Sequence, residues 1–322
     1  MISVVVPLFN EGENLRELIS RLDAALEGRH YEFMLVDDGS SDDTREQLAK
    51  LANRRPEIKV LSLSRNFGHQ AAITAGLEHA SGDAVVVMDG DLQDPPEAIP
   101  GLISRWFEGY DVVYAVRRNR KEGPLKRAAY SGFYRLLKRL SYLDIPLDSG
   151  DFALMDRRVV DLLNHLPERN RFVRGIRSWV GFRQVGMEVE REARAAGDPK
   201  YTVKMLRRLA FDGIISFSHA PLRIFSSLGL VFSVGSFLSI LVVLWIRLFT
   251  DMSVPGFAST ATLILLLGGV QLLGIGILGE YIARIFDEVK NRPNYIVAER
   301  SNLDADTHLV AKRVNLDADI PK

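Results

Sequence analysis

The run Val85-Val86-Val87-Met88-Asp89-Gly90-Asp91-Leu92-Gln93-Asp94-Pro95-Pro96 constrains what this 322-residue chain can fold into more than any other stretch. Four apolar residues leading into two carboxylates spaced i, i+2 read as a strand buried on both faces, as in a parallel sheet covered by helices. Such a strand ends by presenting both acids at its carboxyl edge, where open α/β sheets bind ligands. In extended backbone Asp89 and Asp91 point to one side, and Gly90 is expected to leave room for a bulky ligand. Paired hard oxygen ligands suit Mg2+ or Mn2+, held by one or two protein carboxylates together with phosphate oxygens. A lone Asp-x-Asp is also compatible with a solvated acidic turn, so its context has to decide.

Down to about residue 195 short apolar runs alternate with helical ones, the pattern of a parallel sheet wrapped by helices. Strands are expected at Ser3 to Val6, Phe33 to Val36, Val60 to Leu63, Ala84 to Met88 and Val112 to Ala115, and helices at Glu11 to Leu26, Thr44 to Asn53 and His69 to Ala80. The first helix sets Leu15, Leu18, Ile19, Leu22 and Leu26 on one face, an amphipathic stripe that packs on a sheet. No G-x-G-x-x-G follows the first strand, so a dehydrogenase-type dinucleotide fold is not supported. Met1 leads straight into Ile2-Ser3-Val4-Val5-Val6, too short for a secretory signal and readable as the first strand. With 41 basic and 41 acidic residues the chain has no net bias toward nucleic acid. It has no Cys, which excludes thiol catalysis, disulfides and Cys-based zinc sites and fits a reducing compartment.

After residue 200 the character changes. Leu222 to Ile246 and Ala258 to Gly279 are apolar throughout, and each has about the twenty residues needed to cross a hydrocarbon core of about 30 Å. Arg207, Arg208 and Arg223 precede the pair and Arg284, Lys290 and Arg292 follow it, whereas the connecting segment holds only Arg247. By the positive-inside bias both ends lie in the cytoplasm. Leu125 to Leu140 places Leu125, Ala129, Phe133, Leu136, Leu137 and Leu140 among Lys126, Arg127, Arg135, Lys138 and Arg139, a basic amphipathic pattern suited to an anionic leaflet. Val203, Leu206, Ala210, Ile214 and Phe217 repeat the spacing, and either stripe is equally open to ordinary core packing. The end of the chain, which repeats Asn-Leu-Asp-Ala-Asp at 302–306 and 315–319, reads as a solvated, disordered extension.

Pro7-Leu8-Phe9-Asn10-Glu11, Val36-Asp37-Asp38-Gly39-Ser40, Arg65-Asn66-Phe67-Gly68 and Asp89-Gly90-Asp91-Leu92-Gln93 follow four successive strands. In this order they resemble the family 2 glycosyltransferases of the GT-A fold, and with the hairpin the polyprenyl-phosphate glycosyltransferases in particular, over roughly residues 1 to 295. The resemblance implies an α/β, Rossmann-like GT-A domain, a mostly parallel sheet flanked by helices, followed by a two-helix transmembrane hairpin. The expected organisation is a cytoplasmic catalytic domain at 1–200, an amphipathic juxtamembrane segment at 201–221, two spans within 222–285 and a polar cytoplasmic tail at 286–322.

The resemblance also implies roles. Pro7, Phe9, Glu11, Asp37, Asp38, Asn66, Gly68, Asp89 and Gly90 line a nucleotide site, where Glu11 and Asp38 can accept from a base N–H or a ribose hydroxyl. Asp89, Asp91 and Gln93 match the metal positions, with Asp91 also catalytic. Ser41-Asp42-Asp43-Thr44 is better explained as a turn and helix N-cap. Within Asp148-Ser149-Gly150-Asp151-Phe152, Asp151 is the better match to the acidic residue near the sugar. Arg117 and Arg127, with Arg191, Arg194 and Lys200 of a loop expected to close over the site, are placed to meet a lipid phosphate, the alternative for each being ordinary surface solvation, which is the commoner fate of a loop lysine such as Lys200.

The implied activity is inverting transfer of a hexose, glucose from UDP-glucose, to undecaprenyl phosphate at the cytoplasmic face of a bacterial inner membrane. The expected cofactor is Mg2+ or Mn2+, and a homo-oligomer is expected because Gly269 and Gly276 share a helix face. A processive polysaccharide synthase would carry Q-x-x-R-W and more spans, whereas Arg177-Ser178-Trp179 lacks the glutamine. A non-catalytic nucleotide-binding adaptor would be expected to have lost a metal ligand. A phosphate monoester is already mostly a dianion at neutral pH, so Asp151 is open to two roles, general base or orienting residue.

Overall fold

The structure is a computed structural model that describes residues 1–118, 149–168, 171–190, 220–249 and 256–303. The amphipathic stripes at 125–140 and 203–217, the linker 201–219, residues Arg127, Asp148, Arg191, Arg194 and Lys200, and the second Asn-Leu-Asp-Ala-Asp repeat lie outside the described residues.

Five strands occur where the apolar runs predict them: β1 (Ile2–Leu8), β2 (Tyr31–Asp37), β3 (Ile58–Leu63), β4 (Ala84–Val87) and β5 (Val112–Arg118). Helices α1 (Leu15–Ala25), α2 (Thr44–Arg54), α3 (His69–His79) and α4 (Ile99–Phe107) lie between them, and α4 is entered through one 3-10 turn at Pro96–Ala98. Helix α1 starts at Leu15, where its apolar stripe begins, rather than at the expected Glu11, because residues 11–14 make a turn closed by Asn14 N–H on the Glu11 carbonyl at 3.0 Å. Three strands were not foreseen: β6 (Ser149–Asp156), β7 (Gln184–Glu190) and β8 (Val297–Ser301). Helix α5 (Arg157–His165) opens on Asp156, whose carboxylate accepts from Arg158 N–H at 3.1 Å, and α6 (Val173–Trp179) follows.

The sheet order is β7-β5-β6-β4-β1-β2-β3-β8. Strands β4, β1, β2 and β3 are mutually parallel, and the chain steps outward from β1 to β3 before returning to β4 on the other side of β1. The strand order reverses between β1 and β4, and it is at the carboxyl ends of strands at such a point that open α/β sheets bind ligands. Period-two alternation divides the apolar side chains between two faces. Val4, Val6, Phe33, Leu35 and Val86 pack under α1, α2 and α4, whereas Val5, Met34, Val36, Val85 and Val87 pack under α3, α5 and α6. All five stripe residues of the first helix are buried in the former layer, each Leu contributing about 1.5–3 kcal/mol. Pro7 is tolerated inside a central strand because β4 pairs with β1 only up to Val5, so no bond to that neighbour is lost.

The described residues fall into two compact units: the sheet with its helices, to which the chain returns from Arg292, and a helical pair ending at Asn291. The pair consists of α7 (Ala220–Phe249) and α8 (Phe257–Val289), of 30 and 33 residues. At about 1.5 Å per residue both exceed a hydrocarbon core of about 30 Å. Leu230, Trp245, Leu272 and Ile275 stand exposed on them. Among the described residues one stretch, Leu266–Val289, is long and apolar enough to cross a membrane, and the apolar run in α7, Phe225–Ser239, is shorter.

The expected polar tail at 286–322 needs correction. Its first residues finish α8, and Val297–Ser301 forms β8, antiparallel to β3 at the edge of the sheet. The Asn302 side-chain amide lies 2.6, 3.0 and 2.8 Å from the carbonyls of Ala52, Arg55 and Ile58, and Leu303 packs against the core. Polar Glu299 and Arg300 belong there because an edge strand has one face in water.

Candidate active site

Each parallel strand ends in a loop that carries one of the motifs, so the candidate residues gather along a single sheet edge. After β1, Phe9 is 38% exposed, and Asn10 takes a left-handed φ of 55° while its side chain accepts from Ser41 N–H at 2.8 Å. Thr44 Oγ1 accepts from Glu11 N–H at 3.0 Å and Asp42 accepts from Thr44 N–H at 3.1 Å. Ser41 to Thr44 are thus a turn and helix start, with Asp42 rather than the N-cap Asp43 supplying the bond.

After β2, Asp37 and Asp38 are both buried. Asp38 accepts from the backbone N–H groups of Phe67 and Gly68 at 2.7 and 3.0 Å, a carboxylate set at the N-terminus of α3. Burial pushes its pKa up, with those two bonds and His69 opposing and Asp37 adding. Asp37 Oδ1 accepts from Ser40 N–H at 2.9 Å, and its Oδ2 is buried without a donor. Gly39, at φ 69°, is needed because a Cβ would sit 2.4 Å from the Arg65 carbonyl carbon. Asn66 is exposed, and Gly68, at φ 101°, turns the chain into α3.

After β4, Asp91 Oδ1 accepts from Gln93 N–H at 3.2 Å, and Leu92 holds a left-handed φ of 57° although buried. Such strain in a non-glycine residue clusters at functional sites. Gly90 is also required by packing: a Cβ there would meet Leu8 Cδ2 at 2.4 Å, so the missing side chain lets the loop close on β1.

Asp151 reaches this edge because β6 runs antiparallel to β4, pairing Val87 with Ala153, so that its start meets the end of β4. Arg174 of α6 clamps the Asp151 carboxylate with two bonds, Nε to Oδ1 at 2.8 Å and Nη2 to Oδ2 at 2.9 Å. His69 Nε2 lies 3.3 Å from Asp151 Oδ2 and also 3.3 Å from Asp89 Oδ1. Burial opposes ionisation of Asp151, but Arg174 and His69 outweigh it and hold its carboxyl well below the usual carboxylate range. Asp89 goes the other way: burial, with Asp151, Asp94 and Asp91 adding, pushes it up to about 6 against His69. Arg177, one turn beyond Arg174 and packed over the Tyr114 ring, is fully buried, and burial lowers it to about 10.

The residues present fit a divalent cation. Asp89 Oδ1 is buried and makes no hydrogen bond, with His69 Nε2 at ion-pair distance only, and the carboxylates of Asp151, Asp94 and Asp91 crowd it. Among the described residues no three His, Asp or Glu side chains form a ready-made cage. Mg2+ or Mn2+ needs only one or two protein carboxylates, the rest of its shell coming from phosphate oxygens and water.

Arg117 lies at the carboxyl end of β5, on the same edge, and Arg127, Arg191, Arg194 and Lys200 lie outside the described residues. Sequence reasoning missed His69 and Arg174. The available signals were a histidine directly after Asn66-Phe67-Gly68 and the arginine three positions before Arg177, but only the fold pairs them with residue 151.

A mostly parallel sheet with a metal-fitting carboxylate edge, in a chain that continues into a helical pair, defines the class, and comparison with known proteins agrees. Residues 3–163 match the Glycosyl transferase family 2 model and residues 220–285 the GtrB C-terminal hairpin. The chain belongs to glycosyltransferase family 2 and is a glycosyltransferase. It is 46% identical over 315 residues to the uncharacterized glycosyltransferase YkcC of Bacillus subtilis (strain 168), covering 95% of this chain and 98% of that one. It is also 46% identical over 299 residues to the SfII prophage-derived bactoprenol glucosyl transferase of Shigella flexneri, covering 92% and 97%. Among solved structures it resembles glucosyl-3-phosphoglycerate synthase from Mycobacterium tuberculosis in complex with Mn2+, UDP-glucose and phosphoglyceric acid, at TM-score 0.45 and 19% identity over 67% of this chain and 79% of that one.

Proposed function

We propose that this glycosyltransferase moves a single hexose, glucose from UDP-glucose, onto undecaprenyl phosphate with inversion, at the cytoplasmic face of a bacterial inner membrane. The observation that carries the reading is the gathering of Asp38, Asp89, Asp91 and Asp151 at one sheet edge, in a chain that continues into an apolar helical pair. The bactoprenol glucosyl transferase of Shigella flexneri, similar along nearly its whole length, supports the lipid and the sugar. Both helices would span, in keeping with the hairpin match and the flanking arginines, although only α8 qualifies by length and composition among the described residues.

In this reading Pro7, Phe9, Glu11, Asp37, Asp38, Asn66, Gly68, Asp89 and Gly90 hold the nucleotide. Asp89, Asp91 and Gln93 would hold Mg2+ or Mn2+, which when bound neutralises charge on the departing diphosphate. Arg117, Arg127, Arg191, Arg194 and Lys200 meet the acceptor phosphate. One oxygen of that phosphate attacks the anomeric carbon, the bond from that carbon to the diphosphate oxygen breaks, and UDP leaves with the electron pair. The acceptor has a second pKa near 6 and is mostly a dianion at neutral pH, so no proton has to be removed. Asp151, clamped by Arg174, therefore orients the sugar rather than acting as a base. Purified enzyme assayed with undecaprenyl phosphate and a panel of labelled UDP- and GDP-sugars tests the assignment. UDP-glucose should give the highest kcat/KM, and preference for another donor would overturn the sugar or the nucleotide.

A further inference from the structure

We propose that His69 is a positioning residue that holds the donor-side Asp89 in register with the sugar-side Asp151. The inference rests on the function proposed above and concerns how its two sets of carboxylates are kept in place. Asp151 is already fixed from α6 by both bonds of Arg174, and Gln70 Nε2 approaches its Oδ2 at 3.5 Å. Asp89 has no such clamp. Among the described residues its one polar side-chain neighbour within ion-pair distance is the His69 imidazole, whose Nε2 stands 3.3 Å from both carboxylates.

His69 is itself well placed to act as a fixed reference. It is the first residue of α3, and the turn before it is tied down by Asp38, which accepts from Phe67 and Gly68 N–H. The body of α3 is packed on the sheet through Ala72, Ile73, Ala75 and Leu77. Its next residue, Gln70, accepts Val173 N–H at 2.9 Å through Oε1, fastening α6 and therefore Arg174 to the same helix end. The start of α3 thus touches carboxylates delivered by β2, β4 and β6. The imidazole is 44% exposed, so it lines the crevice rather than filling the core. Groups that orient a metal-binding carboxylate are typically worth about 10–100-fold in metal affinity or activity.

The test compares full-length wild type, His69→Ala and His69→Gln in detergent, the glutamine retaining a side-chain donor. Four quantities are read: Mn2+ affinity in the presence of UDP by electron paramagnetic resonance, kcat and KM with UDP-glucose and undecaprenyl phosphate, and melting temperature. His69→Ala should weaken Mn2+ binding and lower kcat, each about tenfold or more. KM for the lipid should move less than about threefold, and His69→Gln should recover most of both losses at an unchanged melting temperature. Wild-type Mn2+ affinity and kcat in His69→Ala overturn the inference. So do equal losses in both variants accompanied by a lower melting temperature, which would mean a packing role. A wild type that binds Mn2+ and UDP but transfers no glucose refutes the proposed function, while the Mn2+ comparison still decides the role of His69.

Discussion

Asp151 and Asp89 stand within reach of one imidazole, yet their surroundings drive them in opposite directions. Asp151 is held low, so the stability its clamp with Arg174 contributes is present above the ordinary carboxylate range and is lost only in stronger acid. From pH 5 to 9 it stays ionised, and Asp151→Asn should lose activity while keeping the wild-type pH profile. A deficit that vanishes steadily above pH 8 would instead identify Asp151 as the missing base. Asp89, raised to about 6, binds a proton more readily folded than unfolded between its ordinary value and about 6. Metal-free protein should therefore gain up to about 3 kcal/mol as pH falls through that window and lose it as pH rises. The melting temperature in EDTA should be higher at pH 5 than at 7.5, a difference that Asp89→Asn flattens. Asp91→Asn should abolish nearly all turnover at an unchanged melting temperature, as should excess EDTA with wild type. Asp89 and Asp91 were legible because a strand followed by i, i+2 acids is a local pattern. The pairings of residue 151 with 69 and 174 were not, since they exist only after β6 inserts antiparallel beside β4.

At the scale of elements, short apolar runs located five strands, and the helical stripe has four of its five residues within α1, because those side chains fill one core layer or the other. They failed for β8, whose Val-Ala-Glu-Arg-Ser sequence has an edge strand's composition and looks like polar tail. Its return to the sheet is secured by Asn302, which tolerates the left-handed φ of 58° and can donate two hydrogen bonds among three carbonyls. Asn302→Ala should cost about 1–3 kcal/mol by leaving those carbonyls short of a donor, measurable as a lower melting temperature and faster hydrogen exchange in β3. In α8, Gly274 is the glycine used inside the pair, where a Cβ would lie 3.2 Å from the Phe225 ring. Gly269 and Gly276 meet nothing within 4 Å and remain available for close approach of another copy. Light scattering in mild detergent should show an oligomer that Gly269→Leu with Gly276→Leu reduces to monomer, and a wild type already monomeric contradicts it.

For the whole molecule, the division into a sheet unit and a helical pair was readable from where charge disappears from the sequence. The crossing back into the sheet at Arg292 was not, because it depends on an edge left open by β3. In the proposed function the sheet unit binds the nucleotide sugar and the helices deliver the lipid acceptor. The most direct measurement incubates purified full-length enzyme, reconstituted in lipid vesicles with Mg2+ and radiolabelled UDP-glucose, with and without undecaprenyl phosphate. Organic-extractable label should appear only when the lipid phosphate is present, at one glucose per lipid. Label released as free glucose at the same rate with or without the lipid, or label incorporated into a polymer, would contradict it.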